Sequence, residues 1–106
     1  IRAACGKEFI LLSGDDGTYD EFMEAGGDGV ISVASHVIPG AMKKRHARQN
    51  LDLIHLLFCE ANPIPVKMAM YLMGVIASPE LRLPLVPLAD SWTEKLKAEM
   101  KKKGLI

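Results

Sequence analysis

The two acids in the segment SGDD at positions 13–16 are the residues of this chain best suited to bind a ligand or take part in a reaction. They follow the apolar run FILL at 9–12, which predicts a buried β-strand. Asp15 and Asp16 would then lie at the C-terminal end of that strand, where α/β sheets and barrels carry their ligand sites. Carboxylates at this place bind a polar substrate, or they cap the amides of the helix that follows.

The cysteines and histidines are isolated from one another along the chain. Cys5 and Cys59 have no CxxC partner, which favours reduced, partly buried thiols. His46 and His55 lack cysteine or carboxylate partners at metal-ligand spacing, and His36 is expected to be a hydrogen-bonded loop residue. The glycines at 26–29 lack the GxGxxG pattern. We therefore expect neither a metal site nor a dinucleotide cofactor.

Two strands joined by a helix are predicted to position the acids. The apolar runs indicate strands at 8–13 and 29–33. The helix between them is predicted at 18–25, with Thr18 and Glu21 at the spacing of a capping box and a glycine pair at its end. This order describes a parallel strand pair with a helical crossover. A two-stranded sheet alone cannot supply the cover that parallel strands need on both faces, so its neighbours must come from elsewhere in a barrel or from a partner chain.

The remainder of the chain is predicted to be helical. A helix at 45–59 is indicated by apolar residues at helical spacing, namely Ala47, Leu51, Ile54 and Phe58. Asn62 and Pro63 suit the start of the next helix. Ser91 and Glu94 have the spacing of a second capping box at the start of the terminal helix.

Composition indicates an ordinary globular domain. With 49% hydrophobic and 25% charged residues, the chain is too apolar for disorder, and its apolar runs are too short for a bilayer. Thirteen basic residues balance thirteen acidic ones, which removes the electrostatic basis for nucleic-acid binding. The chain shows no secretory signal, so we expect a cytoplasmic protein. It also lacks an initiator methionine, which suggests a fragment.

Three blocks carry a family resemblance: SGDD at 13–16, GVISV at 29–33 and NPIPVK at 62–67. In this order they resemble the C-terminal part of the dihydrodipicolinate synthase family of pyruvate-dependent class I aldolases. The resemblance implies an α/β fold, the (β/α)8 TIM barrel. Residues 1–44 would form its last two strand-helix units, and residues 45–106 its C-terminal helical region.

The connection between Val37 and Asn62 is short by roughly a dozen residues compared with the family pattern, equivalent to three or four helical turns. We therefore predict that a segment is missing between Lys44 and Arg45.

The resemblance implies an enzyme of lysine biosynthesis, in the diaminopimelate pathway. Its complete form would condense pyruvate, held as a Schiff base on a lysine, with L-aspartate semialdehyde, and would form a homotetramer without a further cofactor. The Schiff-base lysine, the relay tyrosines and the carboxylate-binding arginine of the family all precede this segment. Lys67, Tyr19 and Tyr71 do not match them, and Lys67 is expected to be structural.

The segment therefore contains no expected catalytic residue, and we predict that it is inactive without the remaining barrel half. Family positions that contact substrate are matched at three places. Ile31 matches a position that contacts pyruvate, and Gly14 and Asp15 match the strand end near the second substrate.

Two alternatives remain open at this point. Another pyruvate-dependent aldolase, such as an N-acetylneuraminate or keto-deoxy-sugar lyase, would share the barrel, although the NPIPVK block favours the synthase. A non-catalytic fragment that associates through its apolar helices would instead be stable without any complementary barrel half.

Overall fold

The computed structural model describes the whole chain, residues 1–106. The chain divides into two compact units, Ile1–Asn50 and Leu51–Ile106, and each has its own architecture. None of the helices has both the length and the apolar character that crossing a bilayer requires.

The first unit contains two parallel strands and three short helices. Its elements in chain order are α1 (Arg2–Cys5), β1 (Leu12–Ser13), α2 (Tyr19–Glu24), β2 (Gly29–Val30) and α3 (Pro39–Lys43). Single 3-10 turns occur at Ala34–His36 and Arg48–Asn50. Strand β1 pairs with β2 in parallel, with Ser13 opposite Val30. The predicted strand-helix-strand order with a parallel pair is confirmed.

Both strands are shorter than predicted. The apolar runs indicated strands at 8–13 and 29–33, but the sheet has only β1 and β2, so most of these residues have no strand to pair with. Phe9 and Ile10 are 54% and 71% exposed, and Ile31 is 74% exposed. These side chains lack the cover that a larger sheet gives to both faces of a parallel strand.

Helix α2 ends at a glycine pair, as predicted. Gly26 has a φ of 94°, a left-handed conformation that favours glycine. Its amide donates to the carbonyl of Met23, and the Gly27 amide donates to the carbonyl of Phe22. This pattern is the Schellman motif, which satisfies the last carbonyls of the helix.

Helix α3 ends in the same motif at a residue other than glycine. The Arg45 amide donates to the carbonyl of Met42, and the His46 amide donates to the carbonyl of Ala41. Arg45 has a φ of 58° and is the one residue other than glycine in this chain with a positive φ. An arginine therefore occupies a backbone conformation for which helix ends normally use glycine.

The second unit consists of α4 (Leu51–Leu57), α5 (Ile64–Leu72) and α6 (Asp90–Lys102). Helix α6 packs on both α4 and α5. The buried apolar residues of this unit are Leu53, Ile54, Leu57, Ile64, Val66, Ala69, Leu88, Leu96 and Met100. Burial of this apolar surface is the main force that holds the three helices together.

Helix α4 begins later than predicted and buries a partly different face. The predicted helix at 45–59 starts only at Leu51, after the 3-10 turn. Leu53 and Leu57 join Ile54 in the core, whereas Phe58 is 45% exposed. The predicted apolar face was counted from Ala47, which precedes the helix, and it was wrong at Phe58. The positions of α5 and α6 decide which face is covered.

Neither predicted capping box is formed. Thr18 precedes α2 but makes no side-chain hydrogen bond to the helix amides. Ser91 lies inside α6, which begins at Asp90 with Ala89 at the capping position. Helix α5 starts at Ile64, with Pro63 and not Asn62 at its capping position. At α2 the predicted residue is in the capping position, but its hydroxyl donates to Asp15. At α6 the helix begins before the predicted cap.

Candidate functional site

The residues predicted to contact substrate lie together at the C-terminal edge of the strand pair. Gly14 directly follows β1, and Ile31 directly follows β2. The Ile31 amide donates to the Ser13 carbonyl at 2.9 Å, which extends the pairing by one further bond. Because the strands are parallel, both of these C-terminal ends open at the same edge. Ile31 presents a largely exposed side chain there, 74% accessible.

Asp15 is exposed and acts on the turn that follows β1. Its Oδ2 accepts hydrogen bonds from the Thr18 amide at 2.9 Å and from the Thr18 hydroxyl at 2.6 Å. The Ser13 hydroxyl lies 3.1 Å from the Asp15 amide, which donates to it. Asp15 therefore makes the helix-start contact that sequence analysis offered as its alternative role. Its exposure also leaves the carboxylate accessible at the edge where Ile31 lies.

Asp16 is buried and contacts a different part of the chain. It is 1% exposed, and its Oδ2 accepts hydrogen bonds from the Val33 amide at 2.9 Å and the Ala34 amide at 2.8 Å. Its other carboxylate oxygen is buried without a hydrogen-bond partner. The expected alternative for Asp16 was a cap on α2, and the structure corrects it. The carboxylate caps the 3-10 turn after β2 instead.

A second buried acid, Asp20, was not singled out by sequence analysis. Its carboxylate accepts hydrogen bonds from the Ala47 amide at 3.3 Å and the Arg48 amide at 2.8 Å. The Arg48 guanidinium in turn forms an exposed ion pair with Glu24 at 3.2 Å. Asp20 thus fixes the segment after α3. No spacing in the sequence marks it, because its partners lie more than twenty residues away.

The start of the strand pair carries an ion pair of its own. Arg2 donates to the Asp28 carboxylate at 2.5 Å and to the Gly26 and Phe9 carbonyls. The Leu11 amide donates to the same carboxylate at 2.8 Å. The hydrogen bond from the Leu11 amide, followed by that from Arg2, holds the pKa of Asp28 below its usual range. This cluster joins α1 to the beginnings of both strands, away from the edge with Ile31.

The other titratable residues do not assemble into a site. His36 is exposed on the 3-10 turn, and no group of three histidine, cysteine or acidic side chains is close enough to hold a metal ion.

The Lys67 amine donates to the Glu80 carbonyl, the structural role expected for this lysine. It borders a surface cavity of about 910 Å³ that Arg82 also lines. Burial, followed by the charge of the neighbouring glutamate, raises the pKa of the Cys59 thiol.

Comparison with known proteins gives consistent matches over the whole chain. A sequence model described as the Dihydrodipicolinate synthetase family matches residues 1–103. The 4-hydroxy-tetrahydrodipicolinate synthase of Bdellovibrio bacteriovorus is 58% identical over 120 aligned positions, which cover all of this chain and 41% of that protein.

Solved structures agree with this result. Dihydrodipicolinate synthase from Aquifex aeolicus superposes with a TM-score of 0.91 and 36% identity, over 99% of this chain and 40% of that one. The enzyme from Acinetobacter baumannii, solved in complex with pyruvate, gives a TM-score of 0.85 and 37% identity, over 99% and 40% of the two chains.

These superpositions show that the chain has the fold of a part of a (β/α)8 barrel. The chain belongs to the dihydrodipicolinate synthetase family, as the three sequence blocks indicated. It spans 41% of the length of its Bdellovibrio relative, so it corresponds to a portion of the proteins it matches.

Proposed function

We propose that this chain is the C-terminal portion of a 4-hydroxy-tetrahydrodipicolinate synthase. The complete enzyme would condense pyruvate with L-aspartate semialdehyde in lysine biosynthesis. The observation that carries the proposal is the match to this family over residues 1–103, together with 58% identity to a synthase over the whole chain. The geometry supports it, because the residues that resemble substrate contacts share one edge of the strand pair.

In the proposed enzyme this chain supplies part of the pocket wall. Ile31 would contact pyruvate, while Gly14 and Asp15 would lie near the incoming aldehyde. The Schiff base would form on a lysine of another barrel strand, since neither β1 nor β2 contains a lysine. An iminium draws electrons from the neighbouring methyl group and makes it acidic, so the carbon-carbon bond can form there. The chain alone would be inactive.

The partner that completes the site would be the remaining part of the barrel. Strand β1 has a neighbour on one side only, and Phe9, Ile10 and Leu12 are all at least half exposed. Apolar residues in these positions become covered when further parallel strands and helices pack beside them. The family resemblance further implies a cytoplasmic homotetramer for the complete enzyme, which cell fractionation and sedimentation would test.

We also propose that a segment is missing between Lys44 and Arg45, at the predicted boundary between residues 1–44 and 45–106. The two compact units of the structure divide six residues later, after Asn50. The alignment with the Bdellovibrio synthase spans 120 positions, fourteen more than the 106 residues of this chain. The left-handed Arg45 lies at the proposed junction, where a helix end would normally use glycine. The intact mass tests whether a segment is missing, since the 106-residue chain has a mass of 11.6 kDa and a polypeptide with a further segment would exceed it.

Co-production with the complementary part of the Bdellovibrio synthase tests the proposed activity. The purified mixture would be incubated with pyruvate and borohydride, which reduces a Schiff base to a stable adduct, and examined by mass spectrometry. We expect an adduct on the complementary part only when this chain is present, and condensation when aspartate semialdehyde is added.

Each part alone serves as a control. An adduct without condensation, but with cleavage of N-acetylneuraminate or a keto-deoxy sugar, would assign another pyruvate aldolase. A stable, folded chain that never binds the complementary part would contradict the proposal.

A further inference from the structure

Asp16 connects the end of β1 to the backbone beyond β2. Its Oδ2 accepts from two consecutive amides, those of Val33 and Ala34. These amides begin the 3-10 turn Ala34–His36, and their partner is an acid 99% removed from solvent. A carboxylate that accepts two backbone hydrogen bonds in a buried place holds that backbone firmly, because charge-assisted bonds are stronger than neutral ones.

Ile31 lies between two anchors. On one side its own amide donates to the Ser13 carbonyl at 2.9 Å. On the other side the nearest attachment to another element is the pair of bonds to Asp16, two residues further on. The Ile31 side chain is 74% exposed, so packing within this unit does little to hold it. Its position therefore depends on these backbone anchors.

We propose that Asp16 is a positioning residue for the pyruvate pocket, acting through the Val33–Ala34 amides to fix Ile31 at the pocket wall. This inference rests on the proposed function. A buried carboxylate oxygen without a partner is unfavourable for stability, and Asp16 has one. Such local conflicts with stability are expected at functional sites.

Asp20 provides a matched control within the same unit. It is 9% exposed and also accepts from two consecutive backbone amides, those of Ala47 and Arg48. Its removal therefore deletes the same chemistry, a buried carboxylate with two amide donors. It does so at the segment after α3, which has no bond to Ile31 in the structure.

The experiment compares D16A, D16N and D20A in the chain combined with the complementary part of the Bdellovibrio synthase. For D16A we expect the KM for pyruvate to rise about tenfold or more, since small misplacements of a binding group have large kinetic effects. The kcat should change much less, because the reacting groups lie on the complementary part. D16N should restore most of the affinity, since its amide oxygen still accepts from the two amides. D20A should leave the KM unchanged even if it lowers stability.

Equal effects of D16A and D20A on the KM, or no effect of D16A, would overturn the proposal. A second measurement separates it from the proposed function. The Ile31 amide and methyl NMR signals of the labelled 106-residue chain should shift in D16A and stay in place in D20A. If the wild-type combination never traps pyruvate, the proposed function fails. If the Ile31 signals are unchanged in D16A, the positioning role of Asp16 fails regardless of activity.

Discussion

Replacing Arg45 with glycine should stabilise the 106-residue chain. Arg45 has a φ of 58° and occupies the left-handed position of the Schellman motif that ends α3. In that conformation the Cβ atom of an L-residue lies too close to the following carbonyl, and glycine has no such atom. The hydrogen bonds of the motif come from backbone groups, so R45G leaves them in place.

The expected magnitude is a difference between two terms. The left-handed conformation costs a residue other than glycine about 1–2 kcal/mol. Glycine loses more backbone entropy on folding, which costs about 0.5–1 kcal/mol. R45G should therefore raise the free energy of unfolding by about 0.5–1 kcal/mol.

G104A is the control, because it makes the opposite change at another left-handed helix end. Gly104 has a φ of 66°, and an added Cβ would meet nothing within 4 Å, so its loss of stability would report backbone conformation alone.

Urea unfolding followed by far-UV circular dichroism measures both changes. We expect a higher midpoint for R45G and a lower one for G104A, with the slope unchanged in each. A loss of stability in R45G, with the expected loss in G104A, would refute this account of Arg45.

Three further predictions concern stability and reactivity. The hydrogen bond from the Leu11 amide is the main cause of the lowered pKa of Asp28. The ionised Asp28 carboxylate therefore stabilises the fold fully above the usual aspartate pKa of about 3.9. This stabilisation is lost as the pH falls through the lowered pKa, and acid titration of D28N should lack this loss. L96A should lower the free energy of unfolding by about 3 kcal/mol, measured by tryptophan fluorescence in urea, because Leu96 is fully buried. Cys59 should react with iodoacetamide more slowly than the exposed Cys5, because burial raises its pKa, and equal rates by peptide mass spectrometry would contradict this.

The order of elements in the first unit could be predicted because its signals are local. Apolar runs marked the strands, and the Gly26-Gly27 pair marked the end of α2. Strand length could not be predicted in this way, because it depends on neighbouring strands that residues 8–10 do not have in this chain. The helix starts also differ from the spacing signal. Ser91 has the right spacing for a cap, but α6 begins at Asp90, with Ala89 at the capping position.

The edge at which the candidate site lies could be predicted from the sequence, but the contacts of Asp16 could not. Gly14 follows the predicted strand at 8–13 and Ile31 lies within the one at 29–33, and parallel pairing brings the C-terminal ends of such strands to one edge. The partners of Asp16 lie seventeen and eighteen residues away, and no sequence pattern links an acid to two backbone amides at that distance. Such a contact becomes visible only when the fold fixes the register of β1 against β2.

The two adjacent acids show why residue type alone does not assign a role. Both follow the same strand, and both could bind a polar substrate or cap backbone amides. In the structure Asp16 is 1% exposed and bound to the turn after β2, whereas Asp15 is exposed and bound to Thr18. The buried acid cannot reach a substrate without breaking the backbone contacts that hold the segment after Ile31. We therefore propose the direct substrate contact for Asp15, and for Asp16 the positioning role toward Ile31 through the Val33 and Ala34 amides.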